Sequence, residues 1–556
     1  MMVRRRAWVR WSGMMALAVG CGPTNTGDTG ATATGDTGDA TSVATEAVTD
    51  TESVDGADST GVEQEPGPAR GGIEVDWVQA NQGVGVSIGA DGGEVGPTGR
   101  AAPLIQNRLT LIRAFWTVPD DWTPREIEGR LIVTWPDGTE ETAVDSKVIE
   151  ADAFEGDLGR SFFWGLMADQ VVPGLQYRVE LYETSLDHED IPMGDTPPTL
   201  PVAEGATAFV GIEDSYQVLK VVVVPFIYDD GANCSTTPDT SEETMQLFQD
   251  LMYMQNPLDR LDFTLHEPVP WNEPLTGFFQ LNSYMAGLRF EEGAPPETYY
   301  YGLVDVCDSG LGGAGGQAID IPSDPVNPDS ASGRVSSGLS LGADWSAETF
   351  VHEVGHSQGR RHVTCNGEEG GPNPSYPHEG GDVGEWGFGV IDFGLRHPTF
   401  YKDYMTYCHP TWVGTWGWNR VYPVIRGLSE WDKGGGPVAP PDGGTHAAPA
   451  SDPYSGSMLL GTLGPNGEED WITVPGRPTA ELDPSVRFQF RSGSEVVTEQ
   501  AAYVHEFPEG GGTVVMVPLP DAWSEVTAIS RVDGTTHGTV LKEAVTEHHQ
   551  KRLVQR

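Results

Sequence analysis

Residues 352–362 read His-Glu-Val-Gly-His-Ser-Gln-Gly-Arg-Arg-His, with three histidines and one glutamate at fixed spacing. His352 and His356 are four residues apart, so on a helix both imidazole rings leave the same face, one turn apart. Ser346 and Glu348 precede them, and a capping serine followed by an acid in the first turn favours a helix start at this point.

The second half of this stretch supplies a turn and a third imidazole. Gly359 permits a backbone conformation that other residues resist, so the chain can turn sharply and bring His362 toward the two helical histidines. Three neutral imidazoles bind one zinc ion and leave a fourth position for water, which is typical of a catalytic rather than a structural site. Glu353 lies beside a ligand on the same helix, where its carboxylate can take a proton from that water.

The long form of this motif resembles the metzincin family of zinc metallopeptidases. Residues 402–408, Lys-Asp-Tyr-Met-Thr-Tyr-Cys, are similar to the tight turn that these enzymes place below the zinc, which implies that Met405 forms an apolar floor without binding the metal. Tyr407 stands where some metzincins carry a tyrosine that reaches the zinc or stabilises an oxyanion. The alternative is that Tyr407 packs beside Cys408. The resemblance covers roughly residues 333–425 and extends more weakly to secreted bacterial mucin-cleaving metzincins.

The resemblance implies a zinc-dependent endopeptidase that hydrolyses peptide bonds in extracellular proteins or glycoproteins, with Glu353 as general base. The rival interpretation is a surface-anchored adhesin or glycoprotein-binding protein with a protease-like fold and little activity. A loop carrying Asp320, Asp324 and Asp329 is either a calcium site or a solvated acidic loop.

The charge balance of the chain restricts its partners. Its 556 residues include 32 Lys and Arg against 82 Asp and Glu, a formal net charge of −50. Such a surface repels nucleic-acid phosphates and anionic membranes, so neither is an expected partner. It favours either cationic or neutral substrates or simply solubility outside the cell, and the protein or glycoprotein substrate is what the resemblance implies. The substrate and the oligomeric state stay open.

The amino terminus indicates export. Residues 1–21 combine a basic start with a short apolar core that ends at Cys21, as in a secretory signal. The residues before Cys21 resemble a bacterial lipobox, which implies an outer-membrane or cell-surface lipoprotein whose only membrane contact is a lipid on Cys21. Ordinary signal cleavage is the alternative. Residues 22–68 hold almost no large apolar side chain, which predicts a disordered tether.

Four cysteines follow, and export favours their oxidation to two disulfides. The sequence allows three pairings. We expect Cys365 to pair with Cys408, because one follows the third histidine and the other closes the Met405 turn. That choice leaves Cys234 with Cys307.

Composition and periodicity predict an α+β multidomain chain in which a twisted sheet plus helices is flanked by two β-sandwich-like domains. The resemblance implies that the sheet-and-helix part is a metzincin-like catalytic domain. The catalytic part has a β–α–β–α–β order, and residues 333–341 are either an edge strand that binds extended substrate or an ordinary inner strand. The predicted divisions are a β domain at 69–205, the catalytic domain at 206–432, a linker at 433–450, a second β domain at 451–546 and a tail at 547–556.

Overall fold

The computed structural model describes residues 65–307, 311, 313–367, 369–432, 454–507, 512–532 and 539–547. The predicted signal peptide with Cys21, most of the tether, the 433–450 linker and nearly all of the tail lie outside the described residues. The described chain is a mixed α+β structure with several sheets, as predicted. None of its described helices combines the length and the apolar character needed to cross a membrane.

The N-terminal region consists of short and medium strands, listed in chain order: β1 (Glu74–Asn81), β2 (Gly85–Ala90), β3 (Gly93–Glu94), β4 (Leu104–Ile105), β5 (Thr110–Thr117), β6 (Arg125–Thr134), β7 (Glu140–Ile149), β8 (Phe162–Leu166), β9 (Gln176–Glu183), β10 (Thr199–Leu200), β11 (Ala208–Phe209) and β12 (Ile212–Glu213). They form two antiparallel sheets, in the orders β3-β2-β1-β5-β8 and β10-β9-β6-β7, while β4 and β12 make a separate parallel pair. A Cβ atom on Gly129 of β6 would lie 2.7 Å from the Phe162 ring of β8, so the two sheets pack face to face. This arrangement agrees with the strand-rich region predicted at 69–205.

The middle region contains the four α-helices of the described chain, α1 (Glu242–Gln255), α2 (Phe278–Glu291), α3 (Ala343–Ser357) and α4 (Thr415–Asp432). Its strands are β13 (Val218–Asp229), β14 (Ser235–Thr236), β15 (Arg260–Leu265), β16 (Val269–Trp271), β17 (Tyr299–Val304), β18 (Gly316–Ala318), β19 (Val335–Leu339), β20 (Gly387–Gly389), β21 (Gly394–Arg396), β22 (Lys402–Asp403) and β23 (Thr411–Trp412). The main sheet has the order β14-β13-β17-β19-β18, with β15 and β16 also paired to β13. The predicted β–α–β–α–β order is therefore confirmed by β13, α1, β15, α2 and β17.

The position of β19 in this sheet decides between the two interpretations of residues 333–341. Strand β19 lies between β17, to which it is parallel, and β18, to which it is antiparallel. The inner-strand alternative is therefore correct and the edge interpretation is wrong. The edge is β18, which has three residues, so its Gly-Gln-Ala sequence carries no alternating apolar pattern that would have indicated a strand.

The helix that carries the motif begins earlier than predicted. Its first residue is Ala343, and the residue before it is Gly342 with a φ of 132°. Ser346 is therefore inside the first turn rather than at the cap, and its hydroxyl donates to the carbonyl of Leu339 and accepts from the N–H of Leu341, both at 3.1 Å. This serine ties the helix start to the end of β19, which is a tertiary role that local sequence does not reveal.

The C-terminal region is again built of strands, as predicted: β24 (Ser457–Leu463), β25 (Glu469–Pro475), β26 (Asp483–Ser492), β27 (Glu495–Glu506), β28 (Thr513–Pro518), β29 (Ala528–Val532), β30 (Thr539–Leu541) and β31 (Thr546–Glu547). The first part of β27 pairs with β26 and its last part, from Tyr503, pairs with β28. The rings of Trp471 on β25 and Phe488 on β26 lie 5.7 Å apart. This contact shows that the sheet folds over at the shared strand β27.

Three apolar clusters show how the regions are joined. The first contains Val78 of the N-terminal sheets together with Phe350 of α3 and residues of α1 and α4. The second joins Leu281 of α2 to Ile472 and other residues of β24, β25 and β28, and the third lies within the C-terminal region around Phe490. The helix that carries the motif is thus packed in the cluster shared with the N-terminal sheets.

Both predicted disulfides are confirmed. Cys365 is bonded to Cys408, and Cys234 is bonded to Cys307. The first bond closes the segment between the third histidine and the Met405 turn, and the second joins the loop after β13 to the segment after β17.

Candidate metal centre

The three histidines of the motif lie close together because a helix and a turn both aim at one point. His352 and His356 leave the same face of α3, and both are buried. The chain reverses at Gly359, which has a φ of 83°, as the sequence predicted. A Cβ atom at this position would also lie 3.0 Å from the carbonyl oxygen of Pro322, so both the backbone angle and the space favour glycine. His362 then enters from the side.

Backbone carbonyl groups fix the tautomer of all three rings. Nδ1 of His352 lies 2.7 Å from the carbonyl oxygen of Tyr404, and Nδ1 of His356 lies at the same distance from that of Arg360. Nδ1 of His362 is 2.7 Å from the carbonyl oxygen of Gly370. A carbonyl oxygen only accepts, so each Nδ1 carries the hydrogen and each neutral ring presents an unprotonated Nε2.

These Nε2 atoms are arranged as metal ligands. The ligand atoms of the three histidines lie within 4.8 Å of one another, and Nε2 of His356 is 3.0 Å from Nε2 of His362. A tetrahedral zinc ion with bonds of about 2.0–2.1 Å places its nitrogen ligands about 3.3 Å apart. Because two unprotonated nitrogens repel each other at this distance, the contact is better explained by ligand geometry than by a hydrogen bond. Burial lowers the pKa of His356 well below its usual value, and His362 and His352 lower it further, which keeps the ring neutral.

The predicted Met405 turn lies directly under the helix. Met405 is fully buried, and a Cβ atom on Gly355 of α3 would lie 2.7 Å from its sulfur atom, so the helix and the turn can approach only because this residue is glycine. The N–H of Val363 donates to the carbonyl of Met405 at 2.9 Å, which joins the turn to the segment that carries the third histidine.

A buried ion pair that the sequence did not indicate holds this turn in place. Arg360 donates to both carboxylate oxygens of Asp403, at 2.8 and 3.0 Å, and Asp403 accepts the N–H of Met405 at 2.9 Å. Burial disfavours the charged form of Arg360, but the charge and hydrogen bond of Asp403 together with Tyr404 and Tyr376 outweigh it and raise the pKa of Arg360. The only sequence signals were a basic residue after Gly359 and an acid just before the Met405 turn, and neither has a fixed spacing.

Glu353 and Tyr407 flank the histidines. A Cβ atom on Gly316 of the edge strand β18 would lie 2.7 Å from Oε1 of Glu353, so the buried carboxylate lies against that strand. The same carboxylate helps burial to raise the pKa of Tyr301. The hydroxyl of Tyr407 lies 3.2 Å from Nε2 of His362, next to the point where the three nitrogens converge. This geometry favours the metal-side interpretation of Tyr407 over packing at the disulfide alone.

Two other candidate ion sites do not fit a cation. Cys365, Glu369 and Cys408 are close together, but both thiols are consumed in the disulfide. In the acidic loop, for which a calcium site and a solvated loop were the two interpretations, each aspartate has its own partner: Tyr503 for Asp320, Asn327 for Asp324 and Ser455 for Asp329. These aspartates do not form one of the two potential ligand groups found in the described chain.

The structure thus brings most of the predicted site residues to one place. No protein-family model matches the chain, and no curated protein matches it. Function is therefore inferred from the site itself, which comprises His352, Glu353, His356, Gly359, His362, Met405 and Tyr407.

Proposed function

We propose that this protein is a zinc-dependent endopeptidase of the metzincin type that acts on extracellular proteins or glycoproteins. The observation that carries the proposal is the convergence of three Nε2 atoms whose Nδ1 atoms all donate to backbone carbonyls. Three neutral nitrogen ligands suit zinc and leave a position for a reactant. When bound, a zinc ion polarises a carbonyl group and lowers the pKa of water from 15.7 toward about 7.

The chain's own groups supply the proton transfers. Glu353 accepts a proton from the attacking water and then delivers it to the leaving amine. The hydroxyl of Tyr407 donates a hydrogen bond to the oxyanion that develops on the scissile carbonyl. In this scheme Met405 only supports the site from below.

Strand β18 is the edge of the main sheet beside the general base, and its three residues are buried. Its inner side pairs with β19 through residues 316–318, and no further described strand pairs with its outer side. A peptide added to that edge would be held by main-chain hydrogen bonds and would pass next to Glu353. Main-chain binding accepts many sequences, so preference has to come from side-chain sites elsewhere.

Export is part of the same proposal. The two disulfides support an oxidising location outside the cytoplasm, as expected for a lipoprotein anchored through Cys21.

The decisive experiment compares wild-type protein with Glu353→Gln after zinc content has been measured in both. Substrates are casein, unglycosylated globular proteins and mucin-type glycoproteins. We expect both proteins to hold zinc, and the hydrolysis rate to fall about 10²–10⁴-fold in the variant because the general base is lost. Asp344→Asn, which makes the same charge change at an exposed position of α3, is the matched control and keeps activity.

A zinc-loaded wild type that cleaves none of these substrates would contradict the endopeptidase proposal and favour the adhesin interpretation. Cleavage confined to glycosylated proteins would support the weaker resemblance to mucin-cleaving enzymes.

A further inference from the structure

A cavity of about 380 Å³ lies between the end of α3, helix α4 and the C-terminal region. Its walls include Gln358, Arg361 and Arg420 from the middle region, and Ala480 and Tyr503 from the C-terminal region. The volume is in the range of sites that hold small molecules or single large substituents. The C-terminal region therefore completes a recess that the middle region does not form alone.

The cavity adjoins the metal centre. Arg361 immediately precedes the third histidine, His362, in the chain. Asn373 also lines the cavity, and its N–H donates to the carbonyl of His362 at 2.8 Å. The cavity thus shares part of its wall with the segment that carries the third histidine.

Two of the three arginines that line the cavity are not paired with an acid. Arg360 at its base is neutralised by Asp403. The exposed Arg361 and Arg420, in contrast, have no carboxylate partner among the ion pairs of the described residues. This is unexpected in a chain with 82 acids and 32 basic residues, where a pairing acid is easily supplied.

Arg420 is also held in a fixed position. Its guanidinium lies 3.4 Å from the ring centre of Trp416, whose ring is also 5.3 Å from the Arg360 guanidinium. Its Nη2 donates to Ser375 Oγ at 3.3 Å. Because the guanidinium is already stacked on the indole, the Arg420 side chain loses little further conformational entropy when a ligand binds.

We propose that this cavity binds a carboxylate group of the substrate between Arg361 and Arg420, so that the enzyme prefers acidic substrates. The proposal rests on the proposed peptidase function. Guanidinium groups bind carboxylates through paired, charge-assisted hydrogen bonds, and the partly enclosed site strengthens them. The carboxylate can belong to an acidic side chain or to an acidic sugar, and both present the same group.

Binding is measured apart from hydrolysis, by calorimetry on the zinc-loaded, full-chain Glu353→Gln protein. One probe pair is N-acetylglutamate α-methylamide and its glutamine analogue, and the other is glucuronate and glucose. We expect the acidic member of at least one pair to bind about tenfold or more tightly than the neutral member. Arg361→Gln and Arg420→Gln each remove that preference, whereas Arg426→Gln, an exposed arginine on α4 outside the cavity, keeps it.

The outcomes separate the two proposals. A preference in the glutamate pair alone assigns the site to acidic side chains, and a preference in the sugar pair alone assigns it to acidic glycans. Equal binding of acidic and neutral members in both pairs overturns the carboxylate site even if the wild type is an active peptidase. So does a loss of preference in Arg426→Gln as large as in the two cavity variants. A preference for the acidic probes, found together with a zinc-loaded wild type that hydrolyses none of the substrates, leaves the cavity assigned and removes the peptidase function.

Discussion

The N-terminal and C-terminal strand regions meet the middle region through different kinds of contact. The N-terminal sheets share one apolar cluster with α1, α3 and α4, and the fully buried Arg108 extends from them into the end of α1. The C-terminal region covers α2 with apolar side chains, but it also contributes a line of side-chain hydrogen bonds, including Tyr503 to Asp320 and Ser455 to Asp329.

The two junctions have different roles: the N-terminal junction supports the fold, and the C-terminal junction takes part in the proposed substrate selectivity. The N-terminal junction also fixes the lower half of the site, because the indole of Trp412 and the N–H of Phe388 both donate to the carbonyl of Gly83. The C-terminal junction contains a titratable acid and forms one wall of the arginine cavity. We therefore expect the N-terminal junction to be needed for folding, and we expect the C-terminal junction to tolerate local changes without unfolding the rest of the molecule.

The largest effect should come from Arg108→Met. The Arg108 guanidinium donates to the carbonyls of Gln82, Tyr253 and Leu258, at 2.5 to 2.9 Å. Burial lowers the pKa of Arg108 to about 10, so the side chain stays charged at neutral pH. Its removal leaves several buried carbonyls without a donor, and we expect the free energy of unfolding to fall by about 4 kcal/mol. Chemical denaturation followed by circular dichroism measures the change.

Arg130→Met is the control for that substitution. Arg130 belongs to the same N-terminal sheets but is partly exposed, and it forms an ion pair with Glu128 on its own strand and lies 3.7 Å from the ring centre of Tyr182. We expect a change within about 0.5 kcal/mol. A similar small loss for Arg108→Met would show that the N-terminal junction does not depend on this clamp, and the contrast between the two junctions would disappear.

A smaller, pH-dependent effect is expected at the C-terminal junction. Burial raises the pKa of Asp320 to about 6, although the hydrogen bond from Tyr503 opposes the shift. Because the folded state holds this proton more tightly than the unfolded state, stability falls as pH rises from about 4 to about 6. The group alone accounts for a loss of about 2 kcal/mol between pH 4 and 7.

Asp320→Asn removes this dependence, since an amide oxygen still accepts from Tyr503 and does not ionise. We expect the variant to be more stable than the wild type at pH 7, by about 2 kcal/mol, and nearly equal to it at pH 4. Denaturation at both pH values measures the difference, with the exposed Asp344→Asn as control. Parallel stability profiles for the wild type and Asp320→Asn would refute a titrating junction.

The sequence predicted the parts of the site that depend on local spacing. His352, His356 and Gly359 are fixed by helix geometry and by one backbone angle. Export predicted two disulfides, the position of Cys365 and Cys408 beside the motif predicted the first pairing, and the second was the pair that remained. The contacts that hold the site could not be predicted in the same way. Arg360 meets Asp403 across 43 residues, and Arg108 meets Leu258 across 150.

The two errors have the same physical origin. Residues 335–339 have the composition of either an edge or an inner strand. Only the antiparallel pairing of the three-residue β18 with β19 decides between them. Ser346 has the chemistry of a helix cap, but its hydroxyl bonds to β19 instead. In each case a tertiary partner overrides a local preference.

The smallest effect is expected for Ser455→Ala at the C-terminal junction. The hydroxyl of Ser455 donates to Oδ2 of Asp329, and its backbone N–H donates to Oδ1 at 2.8 Å. The substitution removes the first bond and leaves the second, so we expect a loss of about 1 kcal/mol. Ser485→Ala, whose hydroxyl bonds only to the nearby Asp483, is the control and should change stability less.

Hydrogen–deuterium exchange locates the loss in Ser455→Ala. If the C-terminal junction opens separately from the rest of the molecule, exchange should increase in residues 454–475 and stay unchanged in the N-terminal sheets. Faster exchange in both regions would mean that the two junctions unfold as one unit. The proposed distinction between the two junctions would then be wrong, because a substitution at the C-terminal junction would also destabilise the N-terminal junction.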